Sequence, residues 1–200
     1  MQRIGEVIET STTRFTAGAY ALHAASPFGG LVRAQSLDAE MAVYGLVYEI
    51  RTGSKEPRWA RRRFAGGTYT GRELYDAEIY HEHPDLAEVL QTEFSALTVG
   101  FSAERRVYHY LPPQPPPVHY SVYPCDAAEL TAFSQSSDFF RSVLFAAQIP
   151  SDELLAAVIR TIARARPDPR AYLVDAGREV AGLLKDDYDR LNALLRRIRP

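Results

Sequence analysis

Paired histidines are the first residues in this sequence whose type and spacing could do chemistry. The segment His81-Glu82-His83 brings two imidazoles together. On an extended segment alternate side chains point the same way, so both rings could ligate a metal ion if His109 or His119 joined them. On a helix the two rings would lie about 200° apart, because a helix has 3.6 residues per turn. We expect surface or capping histidines, with no metal site and no cofactor.

Cys125 is the second candidate. It follows Pro124 at a predicted helix start, where the helix dipole could lower the thiol pKa and make the sulfur nucleophilic. No histidine adjoins it in the sequence, and free cysteines are commonly buried. We therefore expect a small, half-buried side chain at the barrel exit.

A phosphate-binding loop is suggested by the glycine spacing of residues 66–71. ATP-hydrolysing motors need a lysine and then a hydroxyl residue after the last glycine, to hold the phosphates and magnesium. Arg72 and Glu73 occupy those positions here. The sequence also has neither a Gly-x-Ser-x-Gly elbow nor a dinucleotide-binding Gly-x-Gly-x-x-Gly pattern. We therefore predict that the protein is not an enzyme.

The run Arg58-Trp59-Ala60-Arg61-Arg62-Arg63-Phe64 is the best candidate for a binding site. Four guanidinium groups and two aromatic rings in one loop could neutralise phosphates and stack on exposed bases. Two observations favour a solvated loop or a protein-docking face instead. Glu56 and Glu73 lie nearby, and the chain uses arginine as its general basic residue, since only Lys55 and Lys185 are lysines.

Length and composition limit the class of protein. Two hundred residues, 46% hydrophobic and 24% charged, fit one compact domain, or one domain with a small appendage. A formal net charge of -2 gives no global positive field for nucleic acid or membranes. A single cysteine excludes an intramolecular disulfide and favours a reducing compartment, so we expect a cytoplasmic protein. No segment resembles a signal peptide or approaches the ~20 apolar residues of a membrane span.

The N-terminal part is predicted to be β-structure. Glycines interrupt short β-branched and aromatic runs there, which is typical of turns, bulges and barrel corners. Six or seven short strands favour a closed barrel, because closure removes unpaired edges. The strands are predicted at residues 3–10, 15–22, 30–35, 42–51, 94–101, 105–111 and 118–123. An insertion at 52–93 contains a helical turn at 76–80 and helical spacing after Pro84.

The C-terminal part is predicted to be helical. Residues 111–117, with five prolines, form a stiff spacer before the last strand, and a PxxP docking role is the alternative. Asp126 and Glu129 have the spacing of a capping box, and an interruption follows at 134–138. A second helix follows Pro150, capped by Ser151, and a third runs from Asp168-Pro169 to Ile198. The predicted fold class is α+β: a six-stranded closed β-barrel in 1–125, then a small helical bundle in 126–200.

Three motifs together resemble the HAS barrel, the β-barrel shared by HerA-type DNA translocases and ATP synthases. They are Ile4-Gly5-Glu6-Val7-Ile8, Phe28-Gly29-Gly30-Leu31-Val32 and Val43-Tyr44-Gly45-Leu46-Val47-Tyr48-Glu49-Ile50. The resemblance covers residues 1–125. In that family the barrels pack side by side as the crown of a hexameric ATPase ring, whereas this chain has no motor motif.

The resemblance implies a non-catalytic adaptor or assembly module, accessory to DNA end processing. Its expected partners are a HerA-type ATPase, a NurA-type nuclease or further copies of the same chain. Two alternatives remain: a direct nucleic-acid-binding protein that uses Arg58, Trp59 and Arg61–Arg63, and a metal-dependent enzyme that uses His81 and His83.

Overall fold

The computed structural model describes residues 2–55, 68–69, 72–73 and 77–198, with only the backbone of the two short middle segments. The strands are β1 (Gly5–Thr10), β2 (Arg14–Ala19), β3 (Leu31–Gln35), β4 (Ala42–Ser54), β5 (Thr68–Tyr69), β6 (Arg72–Glu73), β7 (Leu90–Ala103), β8 (Arg106–Tyr108) and β9 (Ser121–Pro124). The helices are α1 (Ala77–Glu82), α2 (Leu86–Val89), α3 (Ala127–Phe133), α4 (Phe139–Leu144), α5 (Ser151–Ala165), α6 (Pro169–Leu183) and α7 (Tyr188–Ile198).

Six strands close into an antiparallel barrel, which confirms the predicted α+β fold. The sheet runs β2-β1-β9-β3-β4-β7-β8, and an additional pairing of β2 with β7 closes the ring. Strand β7 makes this possible because its residues 93–97 pair with β2 along one edge and with β4 along the other. Strand β8 is attached outside the ring as a hairpin on the far end of β7.

The barrel lumen is filled with side chains. Side chains along each strand point alternately into the lumen and outward, because successive residues lie on opposite faces of a sheet. The inward side chains form a buried hydrophobic cluster. That cluster contains Val7, Phe15, Ala17, Val32, Ala34, Val43, Val47, Phe94, Ala96 and Val122. The lumen is therefore a packed core.

The helices share a second hydrophobic cluster with the outside of the barrel. Tyr44, Leu46 and Val99 project outward into the same cluster as the buried residues of α3, α4, α5, α6 and α7. At Gly29, where φ is +78°, an added Cβ would lie 2.5 Å from the Cβ of Ala157 on α5. Glycine at this position thus permits both the left-handed backbone and the close approach of the helix.

Two strands extend beyond the barrel, so the insertion is shorter than the predicted 52–93. Strands β4 and β7 remain paired from Arg51, which lies opposite Glu93, to Ser54, which lies opposite Leu90. The predicted helical turn at 76–80 appears as α1, and Pro84 separates it from α2. At the C-terminal end, the predicted strand 118–123 begins only at Ser121.

Two predictions about the helices were wrong. The third helix is divided into α6 and α7, because Asp187 accepts a hydrogen bond from the backbone N–H of Arg190 and so starts a new helix. Ser151 is the first residue of α5, and Pro150 takes the cap position without a side-chain hydrogen bond. The capping box at Asp126 and Glu129 is confirmed, as is the Asp168 cap with Pro169 in the first turn.

Candidate binding groove

The predicted nucleic-acid-binding residues Arg58, Trp59, Arg61, Arg62 and Arg63 all lie outside the described residues. Their predicted role therefore stays a prediction.

Three of the four histidines proposed as possible metal ligands contact different parts of the protein. His81 lies on α1 with its side chain 88% exposed, and its Nδ1 is 3.8 Å from Glu82 Oε1. The Nε2 of His109 is 2.9 Å from the carbonyl oxygen of Phe133, and the Nδ1 of His119 is 3.3 Å from Glu6 Oε1. Across the described ranges, no group of three His, Cys, Asp or Glu side chains is arranged to hold a metal ion.

Cys125 sits just before the capping box of α3. Burial raises the pKa of its thiol, and the carboxylates of Glu129 and Asp126 raise it further, while the Arg33 guanidinium lowers it. The combined effect is a pKa above its ordinary value. A raised pKa opposes formation of the thiolate, so the dipole of α3 does not activate this cysteine.

The segment with the glycine spacing of a phosphate loop contains two short paired strands, β5 and β6. Thr68 pairs with Glu73 and Tyr69 pairs with Arg72, in antiparallel register. Arg72 and Glu73 therefore lie in a strand, whereas a phosphate-binding loop runs directly into a helix.

Two of the five prolines in 111–117 pack against the protein. Pro112 and Pro116 are buried, although Leu111 is 48% exposed. A PxxP ligand presents its proline rings to a groove on a partner. With two rings buried, the segment is less suited to docking on a partner, which favours the predicted connector.

An open groove of about 800 Å³ lies between the β7–β8 hairpin and the end of α3. We call it the hairpin groove. One wall comes from the hairpin and the residues after it, and the other from α3 and the loop before α4. Its lining includes Arg105, Arg106, Tyr108, His109, Tyr110, Phe133, Gln135, Ser136 and Asp138.

The hairpin turn places two arginines at the rim of this groove. Strand β7 ends at Ala103, which pairs with Arg106 of β8, so Glu104 and Arg105 form a two-residue turn. Both have left-handed backbones, with φ of 50° and 62°. Positive φ at both central residues is the pattern of a type I′ turn, in which Asn and Gly are preferred. Arg105 and Arg106 are exposed.

Tyrosines form the hairpin wall of the groove. Tyr108 stacks on Phe101 with ring centroids 5.0 Å apart and an interplanar angle of 25°. Tyr110 meets the same phenylalanine edge-on at 5.4 Å, and it is 60% exposed. Tyr110 is therefore oriented by its neighbours while most of its surface faces solvent.

His109 anchors the base of the groove to the helices. Its ring packs against Phe133 at 4.7 Å and Phe139 at 5.3 Å. Burial lowers the pKa of His109, although its hydrogen bond to the Phe133 carbonyl opposes this effect. The neutral ring donates from Nε2 to that carbonyl, which has no partner further along α3. His109 thus fixes the position of the tyrosine wall relative to α3.

The groove was missed by the sequence analysis. Arg106, Tyr108 and Tyr110 alternate along the chain, so they share one face of an extended segment. That pattern was visible in the sequence. Its opposite wall starts more than twenty residues later, at Ala132, and no local pattern links the two.

No family model matches this chain, and no curated protein sequence matches it either. None of the helices in the described ranges is long and apolar enough to cross a membrane.

Proposed function

We propose that this protein is a non-catalytic adaptor or assembly module that resembles the barrel of HerA-type DNA translocases and is accessory to DNA end processing. The observation that carries the proposal is the closed barrel with its filled lumen. The three motifs of the resemblance supply β1, the turn into β3 and most of β4. Because side chains fill the lumen, a partner has only the outer surface on which to dock.

One side of that outer surface is already covered. In the ring β2-β1-β9-β3-β4-β7, strand β1 lies three positions from β4 in either direction, so the two strands are on opposite sides. The helices pack over the β4 side through Tyr44 and Leu46. The β1 side is therefore the side on which we place the partner.

Exposed apolar residues support this placement. The backbone N–H of His119 donates to the Val7 carbonyl, and the Val7 N–H donates to the Tyr120 carbonyl, so the turn before β9 runs beside β1. Ile8 is 41% exposed, Val118 41% and Tyr120 37%. We call these three residues the β1 face. The hydrogen bonds bring the two segments that carry these residues side by side, and exposed apolar patches are typical of interaction sites.

Capture from the native host tests this proposal. The tagged full chain is expected to recover a ring-forming ATPase, which mass spectrometry identifies. The double substitution Ile8→Glu and Tyr120→Glu should reduce recovery about tenfold or more, because burying an unpaired carboxylate in an apolar interface is costly. Leu37→Glu and Val174→Glu are matched controls, since both positions are exposed and apolar but lie outside the β1 face.

The protein that is captured identifies the partner. If a nuclease is recovered in place of the ATPase and the double variant reduces its recovery equally, the partner is a nuclease and the docking surface is still the β1 face. Light scattering on the purified chain tests self-assembly, which the same double variant should abolish. Undiminished recovery by a double variant that is folded by circular dichroism would refute docking at the β1 face.

A further inference from the structure

We infer that the hairpin groove binds single-stranded nucleic acid, with Arg105 and Arg106 neutralising phosphates and Tyr110 stacking on an unpaired base. This activity is separate from partner docking at the β1 face. It also uses residues other than the basic run at 58–64.

The arginines of the groove are available for an anionic ligand. Within the described part of the chain, the side chains of Arg105 and Arg106 have no carboxylate within 4.0 Å and no hydrogen-bond partner. Glu104 offsets part of their charge, so the turn 104–106 carries a net charge of +1. On the opposite wall Asp138 accepts a hydrogen bond from Ser136 Oγ at 2.6 Å. A phosphate is therefore favoured at the hairpin rim rather than at the helix wall.

Tyr110 has the arrangement of a stacking platform. Its ring contacts Phe101 at an interplanar angle of 82° and Tyr108 at 58°, and neither contact is a parallel stack. The side chain is nevertheless held between two rings, so binding a base restricts it little further. Stacking accepts any base because every base has a π-face.

The backbone of the turn adds an independent observation. Glu104 and Arg105 are not residues that favour the left-handed region, and such strain persists where the surrounding structure imposes it, often at functional sites. Here the strained turn brings Arg105 into the groove lining together with Arg106. A glycine at position 105 would relieve the strain but would remove a guanidinium group.

The combination favours a single strand over two other anionic ligands. In a duplex the bases are stacked on each other, so they cannot stack on Tyr110. An acidic peptide could pair with the arginines but offers no ring to the tyrosine. Unpaired bases joined by phosphates satisfy both parts of the groove, as in proteins that bind single strands without sequence preference.

Fluorescence anisotropy with the full chain and labelled oligothymidylate or oligouridylate, each about 15 nucleotides long, tests this inference. Binding is expected at roughly 20 mM salt and should weaken toward 200 mM, with each phosphate contact contributing about -0.7 to the slope of log K against log salt. R105A with R106A should flatten that slope by about 1.4. Y110A should weaken binding roughly 5- to 150-fold and leave the slope unchanged.

Matched controls separate this groove from the rest of the surface. Arg178→Ala and Tyr188→Ala remove an exposed guanidinium and an exposed ring that do not line the groove, and both should bind as the wild type does. A mononucleotide should bind more weakly than the oligonucleotide, because it offers one phosphate group and one base. Equal binding by a duplex or by polyglutamate would contradict the inference.

Two further outcomes would overturn it. The first is the absence of binding by the wild type at low salt. The second is loss of binding in the triple variant Arg61→Ala, Arg62→Ala and Arg63→Ala, together with wild-type binding by the groove variants. In that case the basic run is the binding site. Neither outcome affects the adaptor proposal, which is tested by partner capture.

Discussion

Gly45 offers a direct test of the packed barrel. This residue lies on β4 between the outward-facing Tyr44 and Leu46, so it faces the lumen. A Cβ placed there would lie 2.7 Å from Cε1 of Phe15 and 2.8 Å from the Cβ of Ala96. Ordinary carbon contacts are about 3.5–4.0 Å. Gly45→Ala therefore overpacks the lumen.

The expected cost follows from the immobility of the two neighbours. Phe15 is 1% exposed and Ala96 is fully buried, so neither can move into solvent to make room. Extra methyl groups in a packed core cost about 1–3 kcal/mol. In an open sheet, replacing glycine by alanine would instead stabilise the chain by about 0.4–1 kcal/mol, because the unfolded state loses freedom. The two geometries predict opposite signs.

Gly53→Ala is the matched control on the same strand, since a Cβ there has no neighbour within 4 Å. Urea unfolding followed by far-UV circular dichroism should place Gly45→Ala below the wild type and Gly53→Ala at or above it. A difference of about 2 kcal/mol corresponds to about 4–8 °C in Tm for a chain of this size. If the two variants are equally stable, the packing described around Gly45 is wrong. Phe15→Leu should lower the free energy of unfolding of Gly45→Ala less than it lowers that of the wild type, since the two sites are in contact.

Two further predictions concern titratable groups. The pKa of His109 lies below its ordinary 6.5, so the unfolded chain takes up a proton first as the pH falls. The contribution of the neutral His109 ring to folding stability is complete above about pH 6.5 and is lost as the pH falls below that value. The urea midpoints at roughly pH 7.5 and 5.5 should therefore differ less in His109→Gln than in the wild type. An identical difference would contradict this account. Because burial raises the pKa of Cys125, its folded thiol should react with a disulfide reagent near pH 8 at least about tenfold more slowly than the urea-unfolded chain, and equal rates would refute it.

The barrel was predictable from local patterns and a general argument about edges. Each predicted strand range overlaps an observed strand of the main sheet. The closing contact is different in kind, because Phe15 of β2 pairs with Ala96 of β7 about eighty residues away. Nothing in either segment specifies the other. Closure was inferred only because an open sheet of this size would leave two unpaired edges.

Features set by a few neighbouring residues were predicted best. The capping box at Asp126 and Glu129 involves side chains three residues apart, and both of its hydrogen bonds are present. The apolar repeat of the last helical segment was misleading. One hydrophobic cluster contains Val180, Leu184, Leu194 and Ile198, although one helix ends and another begins between the first pair and the second. Two helices packed on α5 therefore produced the same pattern as one long helix.

The same physics explains which side of the barrel the helices cover. Strand β4 begins with six buried residues, so both of its faces need a partner: one faces the lumen, and the other faces the helices. Strand β1 ends its buried alternation after Val7 and exposes Ile8 and Glu9, so the helices of this chain do not cover its outer side. A strand that is apolar on both faces must be covered within the chain, whereas a strand with one apolar face leaves its outer side free. This difference in patterning leaves the β1 face, rather than the surface of β4, available to a partner.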